Sequence, residues 1–338
     1  MLTIDGSQGE GGGQILRSSL ALSLLTGRPF AIHHIRAKRK KPGLMRQHLV
    51  SVTAAARVGN AEVHGATLGS LELKFQPQAV QPGAYHFKID TAGSTTLVLQ
   101  TILPPLLRAS GPSRVTIEGG THNPMAPPFD FLAKTFAPAL NRMGPTLALQ
   151  LIRHGFFPAG GGEIHAEITP AAHWKPFELL ERGTSRGRRA RALLAKLPAT
   201  IAQRELAVVQ ERLGWTAMDL STEEAIDPRG PGNALLLELE YENVTETLTA
   251  FGARGVRAET VAENAVVEAR AYLASDAPVG AHLADQLLLP LAIGAGGTFR
   301  TGTLTPHTLT NLQIIREFLE IEACVTEEKQ NFRIEIRP

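Results

Sequence analysis

Apolar positions along the chain switch between a helical period of three to four and a strand period of two, and the switches fall in one recurring order: helix, strand, helix, strand, strand. The first pass predicts a glycine-rich entry at Gly9–Gly13, a helix over Gln14–Thr26, a strand at Phe30–Ile35, a helix over Leu44–Val58, and strands at Ala61–His64 and Leu71–Phe75. The second predicts helix Thr95–Arg108, strand Arg114–Glu118, helix Phe129–Arg142, and strands Leu147–Leu151 and Glu163–Ile168; the third, helix Asp285–Ile293, strand Thr298–Thr301, helix Thr308–Leu319, and strands Ala323–Thr326 and Phe332–Ile336. Gly27, Gly59 and Gly144 stand where helix stops belong.

Spacing turns the repeat into a domain plan. The second helices begin near Leu44, Phe129 and Thr308, steps of 85 and 179 residues, so about 94 residues are surplus to the third pass. A surplus of that size is a small domain. We expect an α/β (α+β) fold with three repeated two-helix, four-stranded-sheet units at about 1–80, 81–170 and 277–338. They form a large domain of residues 1–182 and 277–338, and residues 183–276 form a smaller inserted α/β domain. Within the insert the pattern predicts strand Arg189–Leu194, helix Ile201–Leu213, strands Ala234–Leu239 and Thr245–Phe251, and helix Ala258–Ala274.

Composition adds exclusions. With 43% hydrophobic and 20% charged residues the chain is built to bury a core and is not a disordered tail. One cysteine, Cys324, forbids an internal disulfide and a cysteine-built zinc site, which fits a reducing compartment. No uncharged apolar run approaches the roughly 18 residues a membrane span needs, and the first residues lack a signal-peptide pattern, so we expect a cytoplasmic protein.

Net charge is only +2, but 25 of the 34 basic residues are Arg, whose planar fork matches phosphate oxygens. They cluster twice: Arg36, Lys38, Arg39, Lys40, Lys41 and Arg46 within eleven positions, and Arg182, Arg186, Arg188, Arg189 and Arg191. Each cluster fits either anion binding or a solvated face.

The common phosphate motifs are absent. No Gly-Lys dipeptide occurs, so there is no P-loop; no Lys-x-Asp-Gly adenylation motif and no His-Glu-x-x-His helix occur either. Gly9-Glu10-Gly11-Gly12-Gly13 superficially resembles a dinucleotide loop, but the elements around it are not in Rossmann order. What remains is polar chemistry at helix starts. Gly9–Gly13 lets backbone amides approach an anion, with Glu10 as a carboxylate for a hard metal and Arg17 one to two turns on. A glycine-rich turn with a solvated glutamate reads the same way from this segment alone. Gln100 interrupts an apolar helix, where a buried amide needs partners whatever its role. His282-Leu283-Ala284-Asp285-Gln286 and Thr305-Pro306-His307-Thr308 open two further helices, and a histidine at such a start is disfavoured as imidazolium and so suited to attack phosphorus. An exposed loop histidine is the ordinary alternative.

At this point the chain resembles the RNA 3′-terminal phosphate cyclase family. The most specific match is His154-Gly155-Phe156-Phe157-Pro158-Ala159-Gly160-Gly161-Gly162-Glu163-Ile164. Supporting matches run the full length: Asp5 through Arg17, Lys41–Leu44 with Arg46-Gln47-His48, Gly93-Ser94 through Gln100-Thr101, Leu283–Gln286, and His307 before Leu309-Thr310-Asn311. The resemblance implies three α/β units with one insert, and a reaction that uses ATP and Mg²⁺ or Mn²⁺ to convert the 3′-phosphate of an RNA into a 2′,3′-cyclic phosphate, releasing AMP and pyrophosphate. Carried over by position, His307 is the nucleophile that becomes adenylylated. Gln100, His282, Leu283, Ala284, Asp285 and Gln286 contact ATP, Glu10 contacts the metal, and Arg17, Arg36, Arg39, Arg46 and Gln47 hold phosphates. The sequence departs at His282, where the family pattern has Tyr, and Lys38 and Lys40 fall in a variable part.

Two competing readings follow. One is a non-catalytic cyclase-like factor that binds RNA in ribosome assembly; the presence of His307 argues against it. The other is an enolpyruvyl transferase, which uses similar repeats but explains neither the insert nor His307. The implied partner is an RNA with a 3′-terminal phosphate, no membrane is implied, and a homo-oligomer is left open.

Overall fold

The computed structural model describes residues Met1–Pro338 and holds four four-stranded sheets. In the first, β1 (Leu2–Asp5), α1 (Gly13–Thr26), β2 (Phe30–His33), α2 (Arg46–Val58), β3 (Glu62–His64) and β4 (Leu73–Gln76) give the order β1-β2-β4-β3, with β1 and β2 parallel and the remaining pairs antiparallel. The second has β5 (Ala84–Lys88), α3 (Thr95–Leu107), β6 (Ser113–Gly119), a helical run of α4 (Phe129–Phe131), a π turn (Leu132–Phe136) and α5 (Ala137–Arg142), then β7 (Thr146–Arg153) and β8 (Gly162–Thr169), ordered β5-β6-β8-β7. The third starts with β9 (Phe177–Leu179) and resumes only after the insert.

The insert supplies the fourth sheet, from β10 (Ser185–Ala195), α6 (Ala199–Leu213), β11 (Leu220–Glu224), β12 (Gly232–Tyr241) and β13 (Thr245–Phe251), ordered β11-β10-β12-β13, and then α7 (Ala258–Ala274). The chain completes the third sheet with α8 (Ala281–Ile293), β14 (Gly297–Thr301), α9 (Pro306–Phe318), β15 (Glu322–Glu328) and β16 (Asn331–Arg337), in the order β15-β16-β14-β9.

The structure corrects the expected order in one respect. A leading strand, parallel to the next, opens each of the three sheets: β1, β5 and β9, none of which the pattern predicted. They have 4, 5 and 3 residues, and β5 buries only Phe87 fully, so there is too little alternation to register. β11 was missed for the same cause, having no fully buried residue. The predicted helix Phe129–Arg142 carries a π turn in its middle.

Burial explains why the helices read clearly. Twelve of the thirteen residues of α3 are buried, Gln100 being the exception, because α3 lies between α1, α2 and its own sheet. One cluster of 57 buried apolar residues spans all three repeated sheets, while a separate cluster of 16 is drawn wholly from residues between Ala190 and Tyr272, so the insert closes a core of its own. No helix is long and apolar enough to cross a membrane.

The insert nevertheless grips the body. Glu246 of β13 is 1% exposed and accepts the Gly280 backbone N–H, 3.3 Å away, at the start of α8. Burial pushes its carboxyl up to about 8, so its favourable contribution is full below the ordinary carboxylate range and is lost as pH rises toward 8. Glu246→Gln, which keeps an acceptor without the charge, is expected to gain a few kcal/mol relative to the parent between pH 5 and pH 9. Thermal melts at both pH values check this; a difference between the two proteins that does not change with pH would show a carboxyl ionised throughout.

Candidate active site

The carboxyl ends of the parallel strand pairs place the loops that carry the predicted chemistry, the usual location for ligands in open α/β sheets. Beyond β1 runs the loop with Glu10, which leads into α1. Beyond β2 runs the basic strap from Arg36 to Lys41, and beyond β14 the turn into α9. Thr305 caps α9, its hydroxyl accepting the Thr308 N–H at 3.1 Å, and Pro306 takes the first helical position, so His307 is the second residue of the helix.

These loops meet. Glu10 Oε2 lies 3.2 Å from His307 Nε2 and 2.6 Å from Arg39 Nη2, and the Glu10 backbone N–H donates to Thr310 Oγ1 at 3.3 Å. Lys38 donates to the Gly9 carbonyl at 3.1 Å, so the strap lies across the glycine loop. Asn311 of α9 donates to Asp285 Oδ1 at 3.0 Å, and its own oxygen accepts the Ser18 hydroxyl at 2.7 Å, joining α8, α9 and α1. These bonds tie α1, α8 and α9 together beside Glu10 and His307.

The electrostatics follow from packing. Burial pushes Arg17 down to about 10, against the raising effect of Asp285 and Glu10, so it stays a cation at neutral pH. Burial pushes Asp285 up to about 6, opposed by His307, Arg17 and the Asn311 hydrogen bond. The His282 ring sits edge-on to Phe131 at 6.4 Å between centroids, where loss of water and then the His307 charge lower its pKa.

Behind these groups a partly open cleft of about 50 Å³ lies between α1, α3 and α8. Arg17, Gln100, Phe136, Asp285, Gln286 and Asn311 are among the residues that line it, and Gln286 Oε1 is buried there with no hydrogen-bond partner. Gln100, on a helix otherwise buried in apolar contacts, faces this cleft.

Other predicted residues sit differently. Gln47 Oε1 accepts the Ser94 N–H at 3.1 Å, linking α2 to the start of α3 at the rim. Arg36 donates through Nη1 to the carbonyls of Lys41 (2.7 Å) and Gly43 (2.8 Å), and so braces the strap it belongs to. Arg46 is exposed and forms no ion pair. Leu283 and Ala284 are completely buried in the main core, so their side chains hold α8 in place and do not line the cleft.

Residue reasoning alone did not single out His48 as a site residue. It is 5% exposed, its Nδ1 accepts the Met45 N–H at 3.2 Å, and burial, with the charges of Arg17 and Arg36, pushes it down to about 3, so the ring is neutral. Its Nε2 faces Gly13 so closely that a Cβ there would stand 2.7 Å from it and 3.0 Å from Arg17 Nη1. The signal in the sequence was the histidine three residues after Met45, the capping-box spacing.

Comparison with known proteins agrees with this geometry. Residues 8–325 match the family profile described as RNA 3′-terminal phosphate cyclase. A protein of that name from Koribacter versatilis (strain Ellin345) is 54% identical over 334 residues, covering 99% of this chain and 94% of its own. Others of that name come from Ectopseudomonas mendocina (strain ymp), 51% identical over 97% of this chain and 96% of its own, and from Salmonella agona (strain SL483), 46% identical over 99% and 96%. With the match running through the glycine loop, the strap, the cleft and the α9 start alike, the chain belongs to the RNA 3′-terminal phosphate cyclase family.

Proposed function

We propose that this protein is an ATP-dependent ligase that converts an RNA 3′-terminal phosphate into a 2′,3′-cyclic phosphodiester through an adenylylated His307. The observation that carries the reading is His307 at a capped helix start, 3.2 Å from Glu10 and above a cleft with an unpartnered buried acceptor. A ring nitrogen of His307 forms a bond to the α-phosphorus of ATP as the α–β phosphoanhydride bond breaks and pyrophosphate leaves. The RNA 3′-phosphate oxygen then takes the adenylyl group from the histidine. Finally the vicinal 2′-hydroxyl attacks the terminal phosphorus, loses its proton, and AMP departs. Activation is needed because oxide cannot leave a phosphate monoester, and the last step gains from the high effective concentration of a neighbouring hydroxyl. That hydroxyl is what restricts the reaction to RNA ends.

The polar groups at the cleft suit ATP in their chemistry: Gln286 Oε1 is a free acceptor and Gln100 a second amide, while Arg17 and Arg39 supply charge-assisted donors for phosphates. A divalent ion fits beside Glu10 as a shared ligand. No group of three His, Cys, Asp or Glu converges in the fold, so the chain would contribute one carboxylate and the phosphates and water the rest, the habit of Mg²⁺ and acceptable to Mn²⁺. When bound, such an ion neutralises charge on the leaving pyrophosphate.

We take residues 183–276 as an inserted domain on a body of residues 1–182 and 277–338, which the separate core supports. A reducing, cytoplasmic setting accords with a free, exposed Cys324.

Gly13 offers a direct test of the phosphate end of the site. Gly13→Ala drives a methyl group into His48 and Arg17, and is expected to slow AMP-adduct formation by about tenfold or more, since displacing a group by 1 Å can cost about a hundredfold. Adduct formation timed by intact mass in ATP and Mg²⁺ measures it; an unchanged rate would place the phosphates elsewhere.

A further inference from the structure

The motif that matches the family most specifically, His154 to Ile164, has no part in the chemistry above. Its geometry is that of a rigid display. Phe156 is 3% exposed and packs into the insert with Leu193, Ala195, Ala234 and Leu236, whereas the next residue, Phe157, is 68% exposed. His122 and Phe156 form a β-bridge, so the loop after β6 runs beside this one, and at its tip stands Met125, 89% exposed with a φ of 68°. A left-handed backbone at a non-glycine residue is uncommon and is worth attention.

Both loops are tied to the rim of the site. Asn123 donates to the Ala92 carbonyl at 2.6 Å, Thr96 donates to the Pro127 carbonyl at 2.7 Å, and a Cβ at Gly160 would stand 2.7 Å from the Thr91 carbonyl oxygen. Two residues on, the Ser94 N–H holds Gln47. On the far side the Arg229 side chain lies against Gly161, and Lys196 donates to the Arg229 carbonyl at 3.3 Å; neither cation has an acidic partner.

We infer that Phe157 and Met125 form a stacking platform for unpaired bases of the RNA just upstream of its 3′ end, with Arg229 and Lys196 following the backbone. The inference rests on the RNA-end reading above. Single-stranded RNA is the occupant that this surface fits, because its bases stack on exposed flat or polarisable side chains while its phosphates take unpaired cations. The continuity from Gln47 through Ser94 to both loops gives the strand its path.

The test uses two 3′-phosphorylated oligoribonucleotides, a dinucleotide and a hexanucleotide. In a Met125→Ala, Phe157→Ala variant, kcat/KM on the hexanucleotide should fall by about tenfold or more, the loss expected for a stacked base, and the advantage of the hexanucleotide over the dinucleotide should disappear. Trp at position 157 should restore it. Equal losses on both lengths, or no loss on the longer, overturn the platform. Binding is also read without chemistry, as fluorescence quenching of Phe157→Trp by a hexanucleotide that lacks the 3′-phosphate. Quenching supports the platform even if the parent forms no cyclic phosphate, a result that would count against the proposed reaction alone, and absence of quenching overturns the platform.

Discussion

His307→Ala should leave no AMP adduct after incubation with ATP and Mg²⁺ or Mn²⁺, a loss of about a thousandfold or more, as expected when a covalent nucleophile is deleted. The fold should be spared. The His307 side chain is 53% exposed, and the start of α9 is held by the Thr305 cap and by Pro306. Its one close polar contact is Glu10, which keeps Arg39 in the variant. The melting temperature should therefore change little while the adduct, seen as added mass in the parent, is absent. An adduct of undiminished yield in the variant places the nucleophile on another residue. No adduct in parent or variant, with both metals tried, moves the assignment to the cyclase-like factor that binds RNA without reacting.

How much of this was written in the linear sequence depends on the scale of each interaction. Long periodic segments such as α7 and α9 were legible because burial of one face leaves a pattern over thirteen or more residues. The strands β1, β5, β9 and β11 were not, since three to five residues at a sheet edge carry almost no pattern. Glu10, Arg17 and His307 stand out as polar groups at helix starts, but their juxtaposition depends on contacts nearly three hundred residues apart, and nothing local encodes the Glu10–His307 approach. Arg36 shows the opposite limit. A basic residue in a basic segment looks like a phosphate ligand, yet a φ of 54° and two carbonyls of its own strap commit one arm of its fork to structure. Leu283 and Ala284, read from the matching motif, are fully buried, and their side chains pack helix α8 against the main core.

The second Arg cluster is where sequence patterning and structure diverge most, and it carries the largest stability effect. A solvated face was one reading of Arg182 to Arg191. Arg186, Arg188 and Arg189 do lie exposed, but Arg191, on β10, reaches across to the body to pair with Asp130 of α4, and within the insert it pairs with Glu223 at 2.6 Å and Glu238 at 3.6 Å. Asp130 is 6% exposed and also accepts from buried His122 at 2.8 Å. Burial works to raise Asp130, but His122 and Arg191 outweigh it and hold the carboxyl far below the ordinary range. Its contribution is therefore complete above about pH 4 and is lost as pH falls below that. Breaking one partner out of such a cluster leaves a buried charge uncompensated, so Arg191→Met should cost about 3–5 kcal/mol, a fall in melting temperature of roughly 6–15 °C. Adding Asp130→Asn should recover a substantial part of that loss, because the amide can still accept from His122 and the most buried carboxylate is gone, while Glu238 keeps Lys134 and Glu223 is partly exposed. Melts of the two single variants and the double variant at pH 7 decide it. A cost below about 1 kcal/mol for Arg191→Met, the range of exposed pairs, would mean that water reaches the cluster and that the insert is held to the body by other contacts, Lys134–Glu238 and Thr135–Thr247 among them.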